Sequence, residues 1–249
     1  NANDESGNGH DGEIKGEATL STDRFGKADS AIYFLGDEWP GTEDNPKMSI
    51  GNYVKVNKTE SIISNEGFSM SFWVKGEFPG NYNYPIVHQS NGIHSKPKWV
   101  VVFRGKGYPA SVAPSGPYFH ASPTSWLLGH SSSSVFNNSI WTNIIYTYDG
   151  DNLVLFEDGR VIESTKIKNL IPNSINAPLI IGADELGGYS FSGSIDDIRI
   201  YNRPLSETEV AELYELEKKP NEVIPTLEQG LVAYYPFNGN AKDESGNGN

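Results

Sequence analysis

The sequence predicts an antiparallel, all-β fold, on three observations. Apolar residues fall in short runs rich in β-branched and aromatic side chains, turn-forming residues bound each run, and a single stretch shows helical spacing. In chain order the runs are AIYFLG (31–36), FSMSFWVK (68–75), KWVVVFR (98–104), IIYTY (144–148), LVLFE (153–157) and SIDDIRIY (194–201). Alternation within FSMSFWVK puts Phe68, Met70, Phe72 and Val74 on one face and Trp73 on the other. Asp149, Gly150, Asp151 and Asn152 join two runs as a hairpin, and Asp158-Gly159 makes the next turn. The helix is SETEVAELYELEKK (206–219), where Ser206 and Glu209 form a capping box and Val210, Leu213 and Tyr214 share a face. From 76 to 139 the text turns to Gly, Pro and Ser with irregularly spaced aromatics, which predicts long loops of the kind that carry function.

Bulk composition narrows the classes. With 249 residues, 37% hydrophobic and 12% aromatic, the chain can bury a sizeable core and suits one large β domain. Cysteine is absent, which removes disulfides and thiolate metal sites. No apolar run approaches the roughly 18 residues of a membrane span, so no membrane insertion is expected. A net charge of -13 disfavours nucleic acid and anionic membrane surfaces, which need cationic patches. Neutral sugars, cations and other proteins remain as partners.

One phrase occurs twice: NANDESGNG at 1–9 and NAKDESGNG at 240–248, with eight of nine positions identical across 239 residues. The duplication reads as a tandem array of which this chain is one unit, with GLVAYYPFNG (230–239) as the opening strand of the next. KKPNEVIPT (218–226) reads as an extended connection. The strand-prone 231–237 is expected either to fold back in cis or to reach a neighbouring chain as an exchanged strand.

In order, FSMSFWVK, WTNIIYTYDGDNLVLFEDGRVI and PLIIGADELGGYSFSGSIDDIRIYNRPLSETEVAELY, with the tail LVAYYPFNGNAKDESGNGN, closely resemble the laminin-G-like, concanavalin A-like jelly-roll modules of bacterial secreted and surface proteins. The resemblance implies a two-sheet jelly-roll sandwich with one short peripheral helix over 1–217, a linker at 218–229 and the repeat's opening strand at 230–249. It also implies an extracellular or cell-surface setting, frequent structural calcium, and carbohydrate or protein binding. The segment 76–139 departs from the family pattern, and fold alone does not settle function.

Two constellations follow. The first is a calcium site built from the DESGNG phrase and the Asp196-Asp197 pair, since calcium takes six to eight oxygen ligands and Gly/Asn turns let carbonyls converge. The family's calcium binders use the opening Asp and an Asp near the final strand, which implies Asp4 or Asp243 with Asp196, supported by Asn8 and Asp197. Alternation sends Asp196 and Asp197 to opposite faces, favouring Asp196 as the direct ligand. The competing reading has Asp4 and Ser6 capping a turn and Asp197 pairing with Arg199.

The second is an aromatic carbohydrate platform, because sugar C–H faces stack on aromatic rings while amides and imidazoles bond hydroxyls. Its candidates are Tyr82, Tyr84, Trp99, Tyr108, Tyr118, Phe119 and Trp126, with His88, Gln89, Asn91, His120 and His130 among them; the alternative makes Trp99 and Trp126 core. Catalysis lacks its text: no HExxH zinc motif, no E-x-D-x-x-E pair of alternate carboxylates and no nucleophile elbow occurs. The sequence therefore predicts a non-catalytic, calcium-stabilised, glycan-binding module, with a structural or adhesive spacer as the rival and a polysaccharide-cleaving enzyme third.

Overall fold

A computed structural model describes residues 2–36, 52–57, 60–78, 83–90, 99–105, 116–121, 126–129, 140–171, 177–183, 191–219 and 229–237. The strands are β1 (Gly12–Lys15), β2 (Thr19–Ser21), β3 (Ala31–Phe34), β4 (Tyr53–Val56), β5 (Phe68–Glu77), β6 (Asn83–Gln89), β7 (Trp99–Arg104) and β8 (Gly116–Ala121). They continue with β9 (Trp126–Gly129), β10 (Thr142–Tyr148), β11 (Asn152–Glu157), β12 (Arg160–Lys166), β13 (Leu179–Ile181), β14 (Ser192–Tyr201) and, after the helix α1 (Glu207–Glu217), β15 (Leu231–Tyr235). Sheet I has seven strands in the order β1-β4-β13-β6-β7-β8-β9. Sheet II has eight, β12-β11-β10-β5-β14-β3-β2, with β15 also on β14. Pairing is antiparallel throughout, giving the two-sheet concanavalin A-like jelly-roll sandwich expected from the sequence.

Alternation sets the core. Phe68, Met70, Phe72 and Val74 of β5 and Ile144, Tyr146 and Tyr148 of β10 point inward to meet Trp99, Val101 and Phe103 of β7 and Phe119 of β8. Trp73, between them, faces outward as expected. Strand β10 is buried on both sides because α1 covers the outer face of sheet II, where Val210 and Leu213 pack with Ile145, Phe156, Tyr201 and Leu205. The expected capping box starts this helix: Ser206 Oγ accepts the Glu209 amide, and the Glu209 carboxylate accepts the Ser206 amide.

The loop reading of 76–139 is corrected. Beyond the expected strand in KWVVVFR, this stretch supplies β6, β8 and β9 to sheet I. Strands β6 and β8 hide because they are short and buried on both faces, so no clean alternation marks them, and a bulge between Pro85 and Val87 breaks the period inside β6.

Gly182, just after β13, has φ +94°, and a Cβ there would sit 2.3 Å from Cε1 of the fully buried Phe34. Gly182→Ala is therefore expected to cost at least about 2 kcal/mol through left-handed strain and overpacking, read as a lower urea midpoint with unchanged m-value.

Candidate functional site

The opening phrase forms a loop wrapped on β15. Asp4 accepts the Ser6 and Tyr234 amides through Oδ1, both at 2.9 Å, and the His10 amide through Oδ2 at 3.0 Å. Ser6 Oγ donates to the Val232 carbonyl at 2.9 Å, Asn8 Nδ2 donates to the Leu231 carbonyl at 3.0 Å, and the Glu5 amide donates to the Tyr234 carbonyl at 2.8 Å. Tyr235 returns a bond from its hydroxyl to the His10 carbonyl at 2.6 Å. Asp4 thus caps a turn, as the competing sequence reading had it, and in addition holds a strand from the far end of the chain.

Asp196 and Asp197 lie elsewhere, at a break in β14. Opposite β5, Asp196 registers with Trp73 and Arg199 with Ser71, so one extra residue is bulged, and Asp197 adopts φ +46°. The bulge corrects the expectation of opposite faces, because both carboxylates emerge on the outer side of sheet II. There Arg24 takes both: Nη1 meets Asp196 Oδ2 and Nη2 meets Asp197 Oδ2, each at 2.7 Å, while Nε donates to the Glu217 carbonyl at 2.8 Å. Asp196 Oδ1 accepts the Asp197 amide, and Asp197 Oδ1 accepts the Tyr234 hydroxyl at 2.6 Å.

The expected partner of Asp197 is also replaced. Arg199 donates instead to Glu217 Oε1 at 2.6 Å and lies 3.6 Å over the Tyr234 ring. Glu217 Oε2 accepts the Trp73 indole N–H at 2.8 Å, and Trp73 is sandwiched between Arg24 and Tyr214. Sequence reasoning missed Arg24, Glu217 and Tyr234; an arginine in a polar loop and an acid at a helix end carry no signal of burial.

These residues do not fit a calcium ion at the expected place. Each oxygen of Asp196 and Asp197 already faces a donor, and a guanidinium stands where the cation would. Asp4 is bonded to backbone amides rather than brought beside Asp196, and among the described residues no group of three or more His, Asp or Glu side chains converges on a point. Asp243 lies outside the described residues.

Electrostatically the knot sets two guanidiniums against three carboxylates out of water. Burial, then the neighbouring Asp197, pushes Asp196 well above the usual carboxylate range against the pull of Arg24. Burial also raises Glu217, opposed by Arg199. Burial opposes the charge on Arg24, but Asp197, Asp196 and Glu217 together raise its pKa.

The carbohydrate candidates divide by strand face. Tyr84 registers with Phe103 and packs edge-on against Phe78, and Trp99 is fully buried and bonds Gln89 Oε1 at 3.3 Å. Phe119 is core as well. His88 is fully buried on the other face, with Nε2 donating to the Ala183 carbonyl at 3.1 Å and Nδ1 2.9 Å from Ser90 Oγ. Tyr84, Trp99, Phe119 and His88 are thus corrected from ligand contacts to structural residues, because the strand period turns the rings inward and His88 spends both nitrogens. Tyr82, Tyr108, His130 and the Trp126 side chain lie outside the described residues.

On the outer side of sheet I, β7 and β8 set Val100 beside His120 and Val102 beside Tyr118, and Val100, Val102, Tyr118 and Arg104 are all buried there. The Arg104 guanidinium lies 4.4 Å over the Tyr118 ring, and His120 is half-buried at the edge. Burial raises the Tyr118 hydroxyl while Arg104 lowers it, with the net upward. On sheet II, α1 and the Arg24 knot close the outer side.

A family model described as the concanavalin A-like lectin/glucanases superfamily matches residues 48–211. The chain belongs to that superfamily. Solved structures similar to this concanavalin A-like chain include the botulinum neurotoxin serotype D binding domain, at TM-score 0.60 and 18% identity over 84% of this chain and 47% of that one. A second is the serotype D ligand binding domain in complex with N-acetylneuraminic acid, at TM-score 0.59 and 17% identity, covering 84% and 46%. A third is domain 4 of AbnA, a GH43 extracellular arabinanase from Geobacillus stearothermophilus in complex with arabinotriose, at TM-score 0.57 and 17% identity, covering 82% and 88%. The chain spans about half the length of the neurotoxin chains it matches. No curated protein sequence matches it.

Arg24→Met is expected to cost about 3–5 kcal/mol at neutral pH, because it leaves Asp196 and Asp197 buried and facing each other. The pH sign follows from the raised Asp196 and Glu217. Their contribution is full below the ordinary carboxylate range of about 4 and is lost as pH rises through their folded values. Urea titrations from about pH 4 to pH 8 should therefore show wild type losing stability relative to Asp196→Asn; a pH-independent difference would contradict the proton placement.

Proposed function

We propose that this chain is a non-catalytic, glycan-binding module of an extracellular protein. The reading is carried by the concanavalin A-like sandwich over the matched residues 48–211 and, among the described carbohydrate candidates, by His120, which alone is not buried. A sugar needs an aromatic or apolar floor for its C–H face and fixed polar groups for its hydroxyls. Similar structures solved with N-acetylneuraminic acid and with arabinotriose support the reading at the level of fold. Against catalysis, the Asp196 and Asp197 carboxylates are locked on Arg24, and the sequence offers no alternate carboxylate pair aimed into a cleft.

A second reading, a structural or adhesive spacer, is favoured by the core positions of Tyr84, Trp99 and Phe119, which withdraw three expected platform rings.

Affinity electrophoresis and a glycan array separate the two. His120→Ala removes the half-buried imidazole on β8, so binding should weaken by up to about tenfold, the worth of one hydrogen bond, with the melting curve nearly unchanged. Undiminished binding would place the ligand elsewhere, and a wild type that binds no glycan would leave the spacer.

A further inference from the structure

Strand β14 is ten residues long, and β3 pairs only with Gly193, Ser194 and Ile195 on its way along that edge. Past the bulge the same edge, from Ile198 to Tyr201, is paired by β15. Without β15 it would be an open edge over the core, because Ala233, Tyr235 and Phe237 are buried core residues.

The grip on β15 is indifferent to most of its sequence. Ser6, Asn8 and His10 reach the carbonyls of Leu231 and Val232, Asp4 takes the Tyr234 amide and Glu5 the Tyr234 carbonyl. Apart from the Tyr234 and Tyr235 hydroxyls, the polar contacts are main-chain atoms that any strand in register presents. Loop and strand are also halves of one sequence unit: the loop's NANDESGNG is nearly identical to the text following the strand in LVAYYPFNGNAKDESGNG (231–248). The ten-residue step from Lys219 to Gln229 can reach roughly 35 Å when extended, enough to carry the strand to its own groove or to another.

We infer that the groove between residues 198–201 of β14 and the loop at 2–12 is a strand-binding site, and that its ligand is segment 231–237 of a second copy of this chain as well as of the same one. Copies then join by strand exchange, each keeping the same hydrogen bonds and the same buried side chains. The tether gives the cis strand an effective concentration near the millimolar range, so exchange needs high protein concentration or a passage through the unfolded state.

The test co-refolds isotope-labelled and unlabelled wild-type chain from denaturant at about millimolar concentration and weighs the products by native mass spectrometry. Mixed-mass dimers are expected, at least about tenfold fewer at micromolar concentration. Ala233→Asp puts a charge on the buried face of the strand and should abolish the dimers. A synthetic GLVAYYPFNG peptide should bind that variant and raise its melting temperature, with little effect on wild type. Should the variant not fold, the chain's lack of cysteine allows a second measurement. An Ile200→Cys copy refolded with an Ala233→Cys copy should give a disulfide-linked heterodimer, since these positions are register partners. Absence of mixed dimers and of that heterodimer, or dimers that form equally well with Ala233→Asp, would overturn the inference.

Discussion

The bulge at Asp196 and Asp197 decides what the outer side of sheet II can hold. A regular strand would send these carboxylates to opposite faces, one into the core; the extra residue turns both outward while Ile195, Ile198 and Ile200 stay inside. Two adjacent buried carboxylates then require a cation, and Arg24 supplies it from a loop that would otherwise have no reason to cross the sheet. From that pairing the rest follows by contact. Arg24 also bonds the last carbonyl of α1, Asp197 holds Tyr234, and Arg199 joins Tyr234 to Glu217. Helix end, N-terminal loop and C-terminal strand are tied at one place. The cost of desolvating these charges is large, so the knot is better read as a device that specifies one arrangement than as a source of stability.

The two outer faces therefore differ in kind. Sheet II is closed by a helix and an ionic cluster, both of which spend their polar groups internally. On the outer side of sheet I the Arg104 guanidinium lies on the Tyr118 ring, and both are buried. Strands of a packed sandwich hold side chains in place better than loops do, which suits a surface that recognises a ligand without changing shape. The buried rings of Tyr84 and Trp99 belong to that scaffold.

Much of the fold was legible because strand alternation and turn chemistry are local. Phe68, Met70, Phe72 and Val74 read correctly as one face, and the Asp149 hairpin and the Ser206 capping box read correctly as boundaries. The site was less legible, for physical reasons that differ by residue. Asp196 and Asp197 were assigned faces by a strict period of two, although the spacing of Ile195, Ile198 and Ile200 already marks an inserted residue. Arg24 and Glu217 meet across 193 positions, and no local pattern encodes such a pair. Trp99 opens an apolar run in which every residue suits a core, so its face is fixed only by the register of β6 with β7, as is that of Tyr84 in its polar surroundings.

The central claim is that one polar knot holds loop, helix end and strand together as a unit. Native-state hydrogen exchange reads it directly through the amides of Glu5, His10, Asp197 and Tyr234, each of which donates inside the unit. The account predicts that these four amides share one opening free energy, and that Arg24→Met lowers all four together while β10 keeps its protection. Independent exchange, with Glu5 and Tyr234 opening freely while Asp197 stays protected, would contradict it.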